Sequence, residues 1–139
     1  MNIICSAEVT LDTIKELSAP EILFDDRDNN SICTGNEDTN YLAVTDIDAD
    51  TADTGDTDVD FKVIDMYKDQ QKSELLRHFV SPKVFLVQFA GFDLLKEFLD
   101  KISSLNIFID NDQGKLLTMY DLLSDKKYQD FINSWNAST

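Results

Sequence analysis

The sequence predicts a single α+β domain: a mixed, mostly antiparallel sheet with helices packed mainly on one face. Three observations carry this expectation. Residues 82–114 read as strand, helix, strand, and form the best-patterned stretch of the chain. Short β-branched and apolar runs, divided by Asn, Asp and Gly clusters, recur before it. A length of 139 residues with a 42% apolar share suits one globular domain, residues 1–139, and no interdomain linker or internal repeat interrupts it.

Taken in order, residues 2–9 carry Ile3, Ile4, Cys5, Ala7 and Val9 and read as a strand. Thr10 or Asp12 is placed to cap a short helix over 11–17, which Ala19-Pro20 ends. Residues 22–24 are a short apolar run, 25–30 a turn cluster, and 31–34 the returning strand of a hairpin. Residues 35–40 are polar loop.

Residues 41–47 (YLAVTDI) and 59–66 (VDFKVIDM) read as two further strands. A β-hairpin is expected over about 41–66, with a long tip near 48–57. Within residues 45–60, seven of sixteen are aspartate: Asp46, Asp48, Asp50, Asp53, Asp56, Asp58 and Asp60. Strand alternation would place Asp46, Asp48 and Asp50 on one face, and Asp56, Asp58 and Asp60 likewise. The other face would carry Tyr41, Ala43, Ile47, Val59, Phe61 and Val63.

Residues 68–80 look helical, with Leu75, Leu76 and Phe79 on the buried stripe and Ser81-Pro82 as the stop. Residues 84–89 are almost unbroken apolar sequence, the mark of a strand covered on both faces. After Gly91, the residues Phe92, Leu95, Phe98, Leu99, Ile102 and Leu105 recur at helical spacing. Asp93 and Lys101 match the two ends of that helix's dipole. Residues 106–110 form a second strand, 111–114 a turn, and 115–119 a brief strand folding back on 106–110. Residues 121–124 and 126–135 read as short helices with Tyr128, Phe131, Ile132 and Trp135 on one side, and 136–139 as a fraying end.

Charge separates the two halves. The chain has 27 acidic and 12 basic residues. Residues 1–60 hold sixteen of the acids against Lys15 and Arg27 alone. A field of this sign repels nucleic acid and anionic membranes and attracts cationic surfaces. The leading candidate contact residues are therefore the seven aspartates of the hairpin, followed by Asp25, Asp26 and Asp28 of the turn cluster. Clustered acids also serve to guard a sheet edge.

Several chemistries are excluded. Asp46-x-Asp48-x-Asp50 starts like a calcium loop, but the positions for the turn glycine and the bidentate glutamate hold Thr51 and Thr57. Ile107 to Asp112 resembles the strand-end DxD of haloacid-dehalogenase phosphotransferases at Asp110 and Asp112. That motif opens its own fold, and here only 27 residues follow it. His78 is the sole histidine, and with Cys5 and Cys33 it cannot complete a four-ligand zinc site. The four glycines form no phosphate loop. No enzyme activity, cofactor or metal is expected. The cysteines are expected to be reduced, as in a cytoplasmic protein. Residues 1–11 lack a basic start and carry Glu8, so no secretory signal is expected.

Three motifs carry a resemblance: Phe92-Asp93-Leu94-Leu95-Lys96-Glu97, Ile109-Asp110-Asn111-Asp112-Gln113-Gly114 and Asp121-Leu122-Leu123. Together the stretch resembles small bacterial immunity proteins of contact-dependent inhibition and polymorphic toxin systems. The resemblance implies a cytoplasmic protein that binds and blocks one cognate toxin domain, commonly a nuclease, and it implies no catalytic residue. It extends over under a third of the chain and leaves out the acidic half. Residue charge agrees independently, because a nuclease is basic where it grips phosphate. The alternative reading is an acidic interaction module, or a nucleic-acid mimic, with no linked toxin.

Overall fold

A computed structural model describes residues 1–36, 38–53, 63–110 and 116–118. The expected elements at 54–62, 111–115 and 119–139, including the candidate residues Asp56, Asp58 and Asp60 and the C-terminal helices, lie outside the described residues. Among those described, seven strands form one sheet in the order β2-β3-β4-β5-β1-β6-β7. Every pairing is antiparallel. The α+β reading therefore holds.

Strand β1 (Asn2–Ser6) is interior, between β5 (Pro82–Ala90) and β6 (Phe108–Asp110). Strand, helix, strand over 82–114 is thus a crossover. The chain leaves β5, runs through α4 (Asp93–Lys101) and returns as β6 on the far side of β1. Strand β7 (Leu116–Thr118) then folds back on β6 in the expected hairpin, with Ile109 opposite Leu117.

Alternation along the strands divides the core in two. Ile3, Leu42, Val44, Phe85, Val87 and Ile109 face α4 and α1 (Leu11–Ser18) and make the larger cluster. It takes in Ile14 of α1 and Leu95, Phe98 and Leu99 of α4. Phe24 meets Phe98 edge to face, with ring centroids 5.8 Å apart. Ile4, Val84 and Phe108 face the other way, onto α3 (Asp69–His78) and a 3₁₀ turn, Val63–Met66. Each large apolar side chain so buried contributes about 1.5–3 kcal/mol. The second face of β5 is covered at Val84, half-buried at Leu86 and open at Gln88, where the apolar run is interrupted.

Thr10 caps α1 as expected. Its hydroxyl accepts the Thr13 amide at 3.2 Å, and the Thr13 hydroxyl accepts the Thr10 amide at 3.2 Å. Within α3, Leu75 and Phe79 are buried, but Leu76 is 48% exposed and does not join the stripe. His78 is exposed and packs against Phe108 at the edge of the smaller core, ring centroids 4.9 Å apart.

Two expectations are corrected here. Asp25–Asp28, expected in a turn, is itself strand β2, and it pairs with β3 (Ser31–Asn36) through the two-residue loop Asn29-Asn30. Among the described residues the hairpin over 41–66 does not form. Strand β4 (Asn40–Asp46) is followed directly by helix α2 (Ile47–Asp53), and Val63–Met66 is 3₁₀ rather than strand. Strand β4 pairs instead with β3 and β5. The physical reason is the role of aspartate at a helix start. Asp46 Oδ1 accepts the Ala49 amide at 3.1 Å and caps α2, while Asp48 and Asp50 sit in its first turn, where the dipole favours anions.

Candidate functional site

The correction redistributes the candidate aspartates. Asp46 is only 7% exposed. Its second oxygen, Oδ2, lies 2.9 Å from Lys83 Nζ. Asp48 is also engaged internally: Oδ1 accepts the Val63 amide at 2.8 Å and Oδ2 the Val84 amide at 3.0 Å. On β5 the Val84 amide points toward β4's side of the sheet, which β4 vacates when it turns into α2. Asp48 therefore replaces the missing ladder acceptor. Asp50 is exposed at the helix surface. So Asp46, Asp48 and Asp50 share no outward anionic face. Nothing is described for the side chain of Asp53, nor for Asp56, Asp58 and Asp60.

The second candidate group lies elsewhere and is outward. All four residues of β2, Asp25, Asp26, Arg27 and Asp28, are exposed on the strand that is terminal among the described residues. Beside β2 opens a cleft of about 620 Å³ whose walls include Asp12, Asp26, Asp28, Asp46 and Lys83. The structure thus joins Asp46 of the first group to Asp26 and Asp28 of the second. It adds Asp12 from the first turn of α1 and Lys83 from β5, neither of which stood among the candidates. Asp12 was visible in the sequence only as a capping option. Lys83 had one sign, a cation opening an otherwise apolar strand.

Two of the three cations at the cleft are paired with carboxylates. Lys83 is held by Asp46, donates to the Val9 carbonyl at 3.1 Å, and lies 5.2 Å from the Phe85 ring centroid. Lys15 pairs with Asp26 at 2.9 Å, and that hydrogen bond raises the lysine pKa. Arg27 donates to the Tyr41 hydroxyl at 3.2 Å. Asp12, Asp25 and Asp28 have no ion-pair partner among the described residues. The Asn30 amide, 2.8 Å from Asp28 Oδ1, holds the Asp28 carboxyl below its ordinary range, so it is ionised. Asp12, Asp26, Asp28 and Asp46 outnumber Arg27 and Lys83 in the cleft lining, so the rim is anionic.

Other possibilities lack a constellation. No group of three or more His, Cys, Asp or Glu side chains among the described residues is arranged to hold a metal. Asp110 accepts a hydrogen bond from the Tyr67 hydroxyl at 2.8 Å, and Asp112 lies outside the described residues. Cys5 is buried and Cys33 half-buried, and both are free thiols. No helix among the described residues is long and apolar enough to cross a membrane.

Comparison with protein-family models, with curated proteins and with solved structures gave no match. A functional reading therefore stands on charge and geometry.

Proposed function

We propose that this chain is an immunity protein: a cytoplasmic inhibitor that binds a cognate toxin domain with a basic surface, a nuclease in the favoured case, and covers it. The observation that supports this reading is the placement of carboxylates that make no salt bridge among the described residues. Asp12, Asp25 and Asp28 stand on or beside one cleft at one end of the sheet, while two of the three cations nearby are paired, Lys15 with Asp26 and Lys83 with Asp46. Such a surface accelerates encounter with a positive partner and sets its orientation. Reaction chemistry is not part of the proposal.

The test is capture of purified basic nuclease domains by the full chain, with nuclease activity as readout, at low and high salt. Inhibition that weakens as salt rises, and drops in the triple variant Asp12→Asn, Asp25→Asn, Asp28→Asn, is the expected result. Inhibition indifferent to both would remove the electrostatic basis of the proposal. A large secreted protein encoded just upstream would add independent support.

A further inference from the structure

We infer that β2 is a docking edge: it takes up an extended basic segment of the partner as an added strand, with a long cationic side chain of that segment seated in the adjoining cleft. This rests on the cationic-partner reading and specifies how the partner is held.

The first observation is an open backbone edge. Among the described residues β2 pairs with β3 alone, and Asp25–Asp28 make no other backbone hydrogen bonds. A terminal strand presents a row of N–H and C=O groups on its outer side, and an extended chain can pair with them.

The second is charge. Three of the four side chains are carboxylates, and the one guanidinium is drawn to Tyr41. Pairing with the same strand of another copy would set aspartates near aspartates, which is unfavourable. Lysine or arginine at alternate positions of an incoming strand would meet opposite charge instead. The edge therefore rejects itself and selects for sign.

The third is the cleft. Edge charge alone is accounted for by protection against self-pairing. Protection does not account for a cavity of about 620 Å³ opening beside the strand, lined by that strand's own Asp26 and Asp28 with Asp12 across from them. Strand-addition sites draw affinity from main-chain bonds and specificity from pockets for alternate side chains. A register irregularity between Asp26 and Asp28 accompanies the placement of both in the cleft wall. One lysine or arginine side chain fits a space of this size; of the two cations in its lining, Lys83 is offset by Asp46 and Arg27 acts on the neighbouring Asp28, which leaves Asp12 and Asp26 on the same walls.

The experiment uses the full chain and three capped hexapeptides: alternating valine and lysine, the same peptide N-methylated at every residue, and alternating valine and glutamate. Binding is followed by titration and by the backbone amide resonances of Asp25 to Asp28. The lysine peptide is expected to bind and shift those resonances. Methylation keeps the charges but removes the N–H donors, and should weaken binding at least tenfold. The paired change Asp26→Asn, Asp28→Asn on this exposed strand should also weaken it, and the glutamate peptide should not bind. If the methylated peptide binds as well as its parent, or the lysine peptide leaves Asp25 to Asp28 unshifted, strand addition is overturned while the cationic-partner reading stands. If the glutamate peptide binds as tightly as the lysine peptide, both are overturned.

Discussion

Asp48 Oδ2 lies 3.0 Å from the backbone nitrogen of Val84, thirty-six positions further along the chain. The other oxygen of the same carboxylate takes the Val63 amide at 2.8 Å. One side chain thus fastens α2, the 3₁₀ turn and β5 together. An aspartate that the sequence places in a run of acids is a structural clasp.

The first prediction follows from that clasp. Asp48→Ala leaves two partly buried amides without acceptors, at about 1–3 kcal/mol each. A loss of about 2–4 kcal/mol is expected in urea denaturation, with Asp48→Asn intermediate. Asp50→Ala, two residues on and exposed, should stay within about 0.5 kcal/mol. Equal effects at the two positions would refute the structural assignment of Asp48.

Gly35 closes β3 with φ +87°, and a Cβ there would run into the Asn40 carbonyl oxygen. Backbone strain of this kind costs about 1–3 kcal/mol for a residue with a side chain. Gly35→Ala should lower stability by at least that range, because β3 and β4 must separate to relieve the contact. Thermal or urea unfolding reads it directly.

The Cys5 thiol is pushed up to about 12 from an ordinary 9.0, chiefly by burial. At pH 8 it should resist alkylation by iodoacetamide in the native protein and react at the rate of global unfolding. The sign for stability follows from the raised value. The native state keeps the proton where the unfolded chain releases it, so stability falls as pH rises from about 9 toward 12. Cys5→Ser should flatten that decline, at the cost of a buried hydroxyl.

Asp28 behaves in the opposite sense. Its folded pKa lies below 3.8 because the Asn30 amide donates to the ionised form. Its contribution is present above 3.8 and is lost as pH falls through the lower folded value. The stability difference between the parent and Asp28→Asn should therefore be flat at neutral pH and shrink below about pH 3.8. The group is exposed, so the effect is small and is best read by NMR titration of the Asp28 carboxyl.

The legible parts of this fold are those with one dominant period. The run at 84–89 is a strand as expected, buried at Val84, Phe85 and Val87 though open at Gln88, and Leu95, Phe98, Leu99 and Ile102 all turn inward as their spacing requires. Thr10 announced α1. The segment after β4 defeated the same reasoning because Asp46-x-Asp48-x-Asp50 satisfies two patterns. It alternates like a strand, and it also puts an aspartate at a helix cap with two more in the first turn. The competing signal was Ala49, a strong helix former three places after a capping aspartate. Leu76 was misplaced because α3 is short and buries only a narrow stripe.

The site was legible in part. Asp26 and Asp28 could be named from local charge, but their meeting with Asp46 and Asp12 could not. That meeting depends on β3 lying between β2 and β4, and on Lys83 of β5 reaching across to Asp46. Pairings of this kind join residues far apart in sequence, and no short window contains them.

The seat of β1 has a consequence for how the molecule is made. Its two neighbours in the sheet come from residues 82–90 and 108–110. While the ribosome is still producing them, Ile3 and Ile4 have no strand beside them to join. This segment must wait for chain made about eighty to a hundred residues later. Native assembly of this sheet is therefore a late event in the life of the nascent polypeptide, with the early hydrophobic strand exposed to chaperones until β5 and β6 arrive on either side of it.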